Sequence, residues 1–344
     1  MKNLCMRVVA SLAIVLSLAG CGDQREQVQL NGSTMGTYYA IKYIQTDGLD
    51  LPDPQTVQAE IDKRLELVND QMSTYRPESE LSRFNQHKST EPFPVSAATA
   101  KVIRVALTFS EMSQGAYDVT VGALVNLWSF GPEARPDEKP TDEEITQRLT
   151  EVGYKNLSVT DDNKLIKQNP DLYVDLSSIA KGYGVDVVAE YLHSLGVTNY
   201  MVDIGGELRV KGQNLENIGW RIAVEKPLSN ERAVQEIIQV GDNGIATSGD
   251  YRNYFEENGV RYSHLIDPRT GKPIENHVVS VTVISSESMM ADGYSTMFSV
   301  LGEEASIALA NQKQVPVLII VKTSEGFKEY ASDAFAQYVT TNKK

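Results

Sequence analysis

The sequence predicts an α+β fold of mixed, largely antiparallel sheets with helices packed on them. Through the first half, apolar residues recur at three- and four-residue spacing. The second half is richer in short runs of β-branched and aromatic residues joined by tight turns. The fingerprints of a nucleotide-binding doubly wound sheet are missing. Gly182-Tyr183-Gly184 starts like a dinucleotide motif, but Val187 stands where the third glycine belongs. Gly271-Lys272 is followed by Pro273, so no phosphate-binding P-loop forms there. The four histidines, at 87, 193, 264 and 277, have no zinc spacing, and no Gly-x-Ser-x-Gly elbow occurs.

Residues 1–20 read as a signal peptide. Lys2 and Arg7 form a basic start, and Val8 to Ala19 is an apolar run too short to span a bilayer as a helix. The run closes on Leu18-Ala19-Gly20-Cys21, which is similar to a bacterial lipobox. Cleavage before Cys21 and acylation of its thiol are expected, the alternative being a plain secretory signal. Polar residues 21–30 then read as a tether, and 31–340 as one compact catalytic unit. The only cysteines are Cys5 and Cys21. Cleavage removes one and acylation consumes the other, which excludes disulfides, a thiolate nucleophile and cysteine-ligated zinc. A net charge of −14 argues against nucleic-acid binding and against electrostatic adhesion to anionic lipid. Membrane attachment then falls to the acyl chains.

Four helices are predicted in order. Val57, Ile61, Leu65, Val68 and Met72 mark the first. Ser96 caps a second that runs to Gly115, with Ile103, Ala106, Leu107 and Ser110 along it. A third spans Thr141 to Gly153 with Ile145, Leu149 and Val152, and a fourth begins near Ser178 and stops at Gly196. The loop-like stretch 131–143 is read as a separator of two lobes. Strands are expected at "YMVDI", "WRIAVEK", "RYSHLID", "VVSVTVI" and "VPVLIIVK", with Asp242-Asn243-Gly244 and Asn258-Gly259 as hairpin turns.

Three constellations have the residue types of chemistry. In "YVDLSSIAKGYGVD", residues 173–186, a strand delivers Asp175, Ser177 or Ser178 caps the next helix, and Lys181 sits one turn in. Free amides at such a terminus attract phosphate, and Lys181 adds a full positive charge. A capped helix with a surface lysine gives the same pattern. In "MMADGYSTMF", Asp292 and Thr296 share a helix face at i and i+4 if Asp292 opens a helix, with Ser295 at i+3. Their oxygens suit a hard cation such as Mg²⁺; a simple N-cap role for Asp292 is the alternative. In "GVRYSHLIDPRTGKPI", a strand presents His264, a candidate general base, before a turn at Asp267–Gly271. "TSGDYR", residues 247–252, is expected to face the same cleft.

Taken together these segments resemble the ApbE-type FAD:protein FMN transferases. The ordered blocks are "STMGTYYAI", "MSTYRPESELSRFN", "GAYDVTVGALVNLWSFGP", "YVDLSSIAKGYGVD", "YMVDIGGELRVKG", "ATSGDYRNYF", "YSHLIDPRTGKPI" and "SVTVISSESMMADGYSTMFSVLG", covering nearly all of the mature chain. The resemblance implies a T-fold-like architecture of two lobes around a central FAD cleft. It implies FAD contacts from Met35, Tyr75, Ala116, Tyr117, Asp118, Asp175, Lys181 and Ile266. It implies Mg²⁺ held by Asp292 and Thr296 with an oxygen of Ser178. Ser295 takes a position that some members fill with a carboxylate. His264 matches the proposed base. The implied reaction transfers the FMN half of FAD, as substrate, to a threonine or serine hydroxyl of an acceptor protein and releases AMP. Implied acceptors are flavin-carrying subunits of sodium-pumping NADH:quinone reductase and Rnf-type complexes, within a Ser/Thr-Gly-Ala-Thr-like segment. The enzyme would meet them on the periplasmic side of a bacterial membrane, held by its lipid anchor; the inner membrane is expected, with the outer membrane the alternative because Asp23 stands one place beyond the residue after Cys21. An FAD pyrophosphatase using the same site, and a non-catalytic periplasmic flavin-binding lipoprotein, are the alternatives.

Overall fold

A computed structural model of the chain describes residues 25–46, 48–133, 139–225, 234–249, 254–257 and 260–339. The expected signal peptide and Cys21 lie outside them. From Arg25 onward the expected tether is corrected. Arg25–Thr34 is strand β1, paired antiparallel along its length with β2 (Thr37–Thr46). Val28 and Leu30 are buried while their neighbours face outward, so two apolar residues at strand period fix an edge strand in a polar-looking stretch.

α1 (Pro54–Met72) forms on the predicted stripe, with the Asp53 carboxylate accepting from the Thr56 amide and proline in its first turn. α2 (Glu80–Gln86), β3 (Phe93–Pro94) and α3 (Ala97–Met112) follow. Ser96 caps α3 as expected, but the helix ends at Met112 rather than Gly115. Next come α4 (Gly122–Leu127) and α5 (Asp142–Leu149). Thr141 and Glu144 form a reciprocal capping box at the start of α5. α5 stops short of the predicted Gly153. The amides of Thr150, Glu151 and Val152 tighten onto carbonyls three residues back, and Gly153 leaves at φ 145°. The stretch 131–143 does not separate lobes, because its flanking helices share one apolar cluster of Leu124, Leu127, Trp128 and Ile145.

β4 (Leu157–Val159) and β5 (Lys164–Lys167) complete a small sheet with β3. α6 (Ala180–Ser194) ends at a left-handed Gly196, as predicted. Beyond it lie β6 (Tyr200–Ile204), β7 (Glu207–Lys211), β8 (Arg221–Glu225), β9 (Val234–Gln239) and β10 (Gly244–Ser248). β11 (Tyr254–Glu257) and β12 (Val260–Ser263) pair across Asn258-Gly259, which lie outside the described residues. The expected strand "RYSHLID" is interrupted: a bend at His264 separates β12 from β13 (Ile266–Asp267), which pairs with β14 (Lys272–Pro273). β15 (Val278–Ser285), α7 (Ser288–Leu301), α8 (Glu303–Lys313), β16 (Val317–Thr323) and β17 (Gly326–Ala331) finish the chain.

Eight strands form the main sheet in the order β1-β2-β6-β7-β10-β15-β16-β17, every neighbouring pair antiparallel. Alternation along the strands sorts the core. Val281, Val283, Val317 and Ile319 face a helical layer containing α3 and α7, and Val202 and Ile204 face α1 and α6. Ile245, Ile284 and Leu318 face the other way, onto Trp220, Ile222, Val224 and Ile238 of the β8–β9 region. The turn at Asp242–Gly244 therefore makes no hairpin. It carries the chain from β9, paired with β8 in that outer layer, into β10 of the main sheet. Among the described residues no helix is long and apolar enough to cross a membrane.

Candidate active site

A cleft of about 820 Å³ opens between the starts of α6 and α7 on one side and the β12–β14 turn on the other. Met35, Tyr75, Ala116, Tyr117, Asp118, Asp175, Ser178, Lys181, His264, Ile266, Asp292 and Thr296 all line it. Residues spread over some 260 positions of sequence thus meet at one surface. Ser295 is the exception: it is fully buried and does not line the cleft. Cys21 lies outside the described residues.

The helical wall rests on a reciprocal arrangement. Asp292 does not open α7, which starts at Ser288. It lies inside that helix, and its Oδ2 accepts from the Gly182 amide of α6 at 2.9 Å. Asp186 lies inside α6, and its carboxylate accepts from the Ser288 and Met289 amides of α7 at 2.9 and 2.8 Å. Each helix satisfies start-of-helix amides of the other. The helices must cross closely for this, and glycine permits it: a Cβ on Gly182 would stand 2.4 Å from the Ser288 carbonyl oxygen. Gly184 makes room for the Met35 side chain, whose terminal methyl would meet a Cβ there at 2.7 Å. Those contacts account for the Gly-Tyr-Gly pair. Met35 itself holds a left-handed φ of 49° at the β1–β2 turn.

Two sequence expectations for α6 are corrected. Neither Ser177 nor Ser178 caps it; Ile179 holds the cap position and makes no side-chain bond to the helix. Nor does its terminus present a row of free amides. The Ile179 and Ala180 amides donate to the Leu176 carbonyl and that of Gly182 to Asp292. The serines are used differently. Ser177 donates from its amide and hydroxyl to Asp175 Oδ1, at 2.8 and 2.5 Å, forming a local turn. Ser178 Oγ donates to the Tyr117 hydroxyl at 2.8 Å. Asp175 arrives on an extended segment held by its amide to the Val119 carbonyl, not on a regular strand. That bond sets the Ala116–Asp118 segment beside it. Both oxygens of Asp118 are occupied, Oδ1 by Thr120 and Oδ2 by the Tyr154 amide.

Electrostatics concentrate at Lys181. Its ammonium donates to Glu207 Oε1 at 2.5 Å. Glu207 is 4% exposed, lines the cleft, and leaves Oε2 buried without a partner. Burial pushes the Glu207 carboxyl up to about 7, with Lys181 opposing the rise and Asp292 adding to it. Burial likewise raises Asp292, again opposed by Lys181. The Glu207 and Asp292 fields more than offset the desolvation of Lys181 and hold its ammonium above the ordinary lysine range. Lys181 therefore keeps its proton at neutral pH, because losing it would leave buried carboxylates facing an uncharged amine. Sequence reading did not single out Glu207. An acid after Gly205-Gly206 at the head of a strand was visible, but its burial against Lys181 is set by the β6–β7 turn.

The opposite wall is built on turns. His264 is half-buried at its bend, with its ring edge-on to Phe130 at 6.3 Å. Tyr75, 65% exposed, reaches over the cleft mouth and donates to the Phe130 carbonyl at 3.3 Å. Behind His264, Trp128 Nε1 donates to the Gly271 carbonyl at 2.8 Å, and Asp267 binds the Arg269 guanidinium at 2.7 Å. Ile266 joins Trp128, Leu124 and Ile145 in one cluster.

The cleft lining combines the Asp292 carboxylate with the hydroxyl-bearing residues Ser178, Ser248 and Thr296, and among the described residues no three His, Cys, Asp or Glu gather as metal ligands. Such oxygens fit a hard cation that keeps part of its water shell. Asp292, buried and raised, has one oxygen on Gly182 and a second that accepts nothing from the described residues.

The chain is similar to known proteins along nearly its whole length. The profile of the ApbE family matches residues 35–319. The FAD:protein FMN transferase of Vibrio cholerae serotype O1 is 59% identical over 332 residues, covering 96% of this chain and 98% of that one. That of Haemophilus influenzae is 47% identical over 349 residues, covering the whole of both. The solved structure of the flavin transferase ApbE from Vibrio cholerae superposes with a TM-score of 0.86 at 59% identity, covering 92% of this chain and all of that one.

Proposed function

The chain belongs to the ApbE family and is a flavin transferase of the FAD:protein FMN transferase kind, and from that premise we propose that it moves the FMN half of FAD onto a threonine or serine hydroxyl of an acceptor flavoprotein, with Mg²⁺, and releases AMP. One observation supports this most: a cation, a hard-oxygen set and an imidazole line a single cleft large enough for a dinucleotide.

FAD lies in the cleft against Met35, Tyr75, the Ala116–Asp118 segment, Asp175 and Ile266. Asp118 contributes through its backbone and the position of Tyr117, because its carboxylate is already occupied. Lys181 offers its remaining N–H groups to the pyrophosphate while Glu207 holds it in place. Asp292 and Thr296, with an oxygen of Ser178, would hold Mg²⁺. When bound, the ion supplies neutralisation of charge on the pyrophosphate. His264 takes the proton of the acceptor hydroxyl as its oxygen bonds to the FMN-side phosphorus. The bond from that phosphorus to the bridging oxygen breaks, and AMP departs with the bridging oxygen. FMN stays joined to the acceptor as a phosphoester.

The chain is further proposed to be a lipoprotein acylated at Cys21 that works at the periplasmic side of a bacterial inner membrane. Its acceptors would be flavin-carrying subunits of NADH:quinone reductase or Rnf-type complexes. The polar acidic surface and the apolar leader support this placement. The test mixes the mature chain with FAD, Mg²⁺ and an acceptor domain carrying a Ser/Thr-Gly-Ala-Thr-like segment. Expected are in-gel flavin fluorescence on the acceptor, a mass gain of one FMN less water, and one AMP per transfer. Free FMN with AMP and no mass gain would replace transfer by hydrolysis; no AMP at all would leave only binding.

A further inference from the structure

We infer that Ser248 supplies a further oxygen to the cation site of Asp292 and Thr296, and that Ser295 stands behind it as a positioning residue. The inference rests on the Mg²⁺ reading of that site.

Hydroxyl hydrogens decide the arrangement. Ser295 Oγ donates to the Asp292 carbonyl at 2.9 Å, and a carbonyl can only accept. The single hydrogen of Ser295 is therefore committed. Ser248 Oγ lies 2.8 Å from Ser295 Oγ, so in that contact Ser248 must be the donor. Its hydrogen points into the core and its lone pairs are left for the cleft, which Ser248 lines. Ser295, fully buried, fixes the direction without reaching the cleft.

The spacing agrees. Ser248 Oγ and Thr296 Oγ1 are 3.4 Å apart. An O–H···O hydrogen bond prefers about 2.7–2.8 Å. Neighbouring oxygens bound to one Mg²⁺ at about 2.1 Å stand about 3 Å from each other. At 3.4 Å the two hydroxyls make at most a long bond to one another and lie within about 0.4 Å of the edge of a Mg²⁺ octahedron, a gap that a small side-chain rotation closes. They also come from separate rigid elements, the end of β10 and the middle of α7, so the spacing is set by packing of helix on sheet.

Mn²⁺ provides the probe, read by loss of the free-ion EPR signal on titration into the mature protein, with and without FAD. Ser248→Ala is expected to weaken Mn²⁺ binding about tenfold, and Ser295→Ala several-fold with partial rescue in Ser295→Thr. Ser248→Cys is expected to trade Mn²⁺ for Cd²⁺, a change of preference that a merely structural serine would not produce. Circular dichroism checks that each variant folds. Unchanged Mn²⁺ affinity in Ser248→Ala, with wild type binding normally, overturns this inference and leaves the Mg²⁺ reading standing. A wild type that binds no Mn²⁺ and transfers flavin at full rate in EDTA overturns both.

Discussion

The two walls of the cleft are built on different physics. The helical wall holds Asp292 at 3% exposure, and its geometry is locked by amide-to-carboxylate bonds between two helix interiors. The turn wall holds His264 at a bend between two-to-four-residue strands, secured from behind by Trp128 and an Asp267–Arg269 pair. In the first, site and core are the same residues. In the second, the site is mounted on the core by a few bonds. Electrostatic groups need a dry, fixed setting to act strongly, whereas a base in the role proposed for His264 would have to meet an incoming hydroxyl and belongs at a mouth.

The contrast is sharpest for substitutions that separate activity from stability. Asp292→Ala should break both: transfer falls at least a thousandfold, and the orphaned Gly182 amide costs about 1–3 kcal/mol of unfolding free energy. Transfer rate and denaturant midpoint check it; an unshifted midpoint would mean that the helix bond carries no weight. His264→Ala should break activity alone, by about a hundred- to ten-thousandfold, with a melting temperature within about 2 °C of wild type. A rate unchanged across pH would remove the base assignment. Asp186→Ala should do the reverse. It frees two α7 amides and leaves Arg209 with Glu190 alone, at about 2–4 kcal/mol, yet touches no cleft residue directly. Calorimetry against transfer at low temperature separates the two effects. The smallest change is expected from Trp128→Phe, about 1 kcal/mol with a several-fold loss of rate, through the freed Gly271 carbonyl. Equal losses of stability in Trp128→Phe and Asp186→Ala would erase the distinction between the walls.

What the sequence made legible follows the range of the forces involved. The α1 stripe, the Ser96 cap, the start of α5 at Thr141 and the Gly196 stop are settled within a few residues, and they formed as predicted. The carboxylates, hydroxyls, lysine and imidazole of the three short motifs were also visible, and of those candidates all but Ser295 line the cleft; Met35, Tyr75, the Ala116–Asp118 run and Ile266, which line it too, came only from the family resemblance. Long-range partners decided the rest. Asp292 looks like an N-cap and does serve a helix-start amide, but that of Gly182, 110 residues away in sequence. Ser177 and Ser178 look like caps until Asp175 and Tyr117 claim them. Glu207 looks like a strand-head acid until the β6–β7 turn buries it on Lys181. Arg25–Leu30 reads as polar until β2 lies beside it.

The mutual capping of α6 and α7 has a consequence for biosynthesis. α6 is complete about a hundred residues before α7 emerges. At about 5–20 residues per second, its Gly182 amide and Asp186 carboxylate wait several seconds or more for their partners. Until α7 is present the Gly182 amide and the Asp186 carboxylate lack these partners, so the α6–α7 wall of the cleft cannot form. A chain stopped at Glu287 should accordingly remain protease-sensitive around α6 and fail to retain FAD, while one extended through Leu301 should begin to protect it; equal protection in both would show that α6 settles alone. The α6–α7 wall of the cleft thus depends on nearly the entire described chain, from the β1–β2 turn at Met35 to the end of α7 at Leu301.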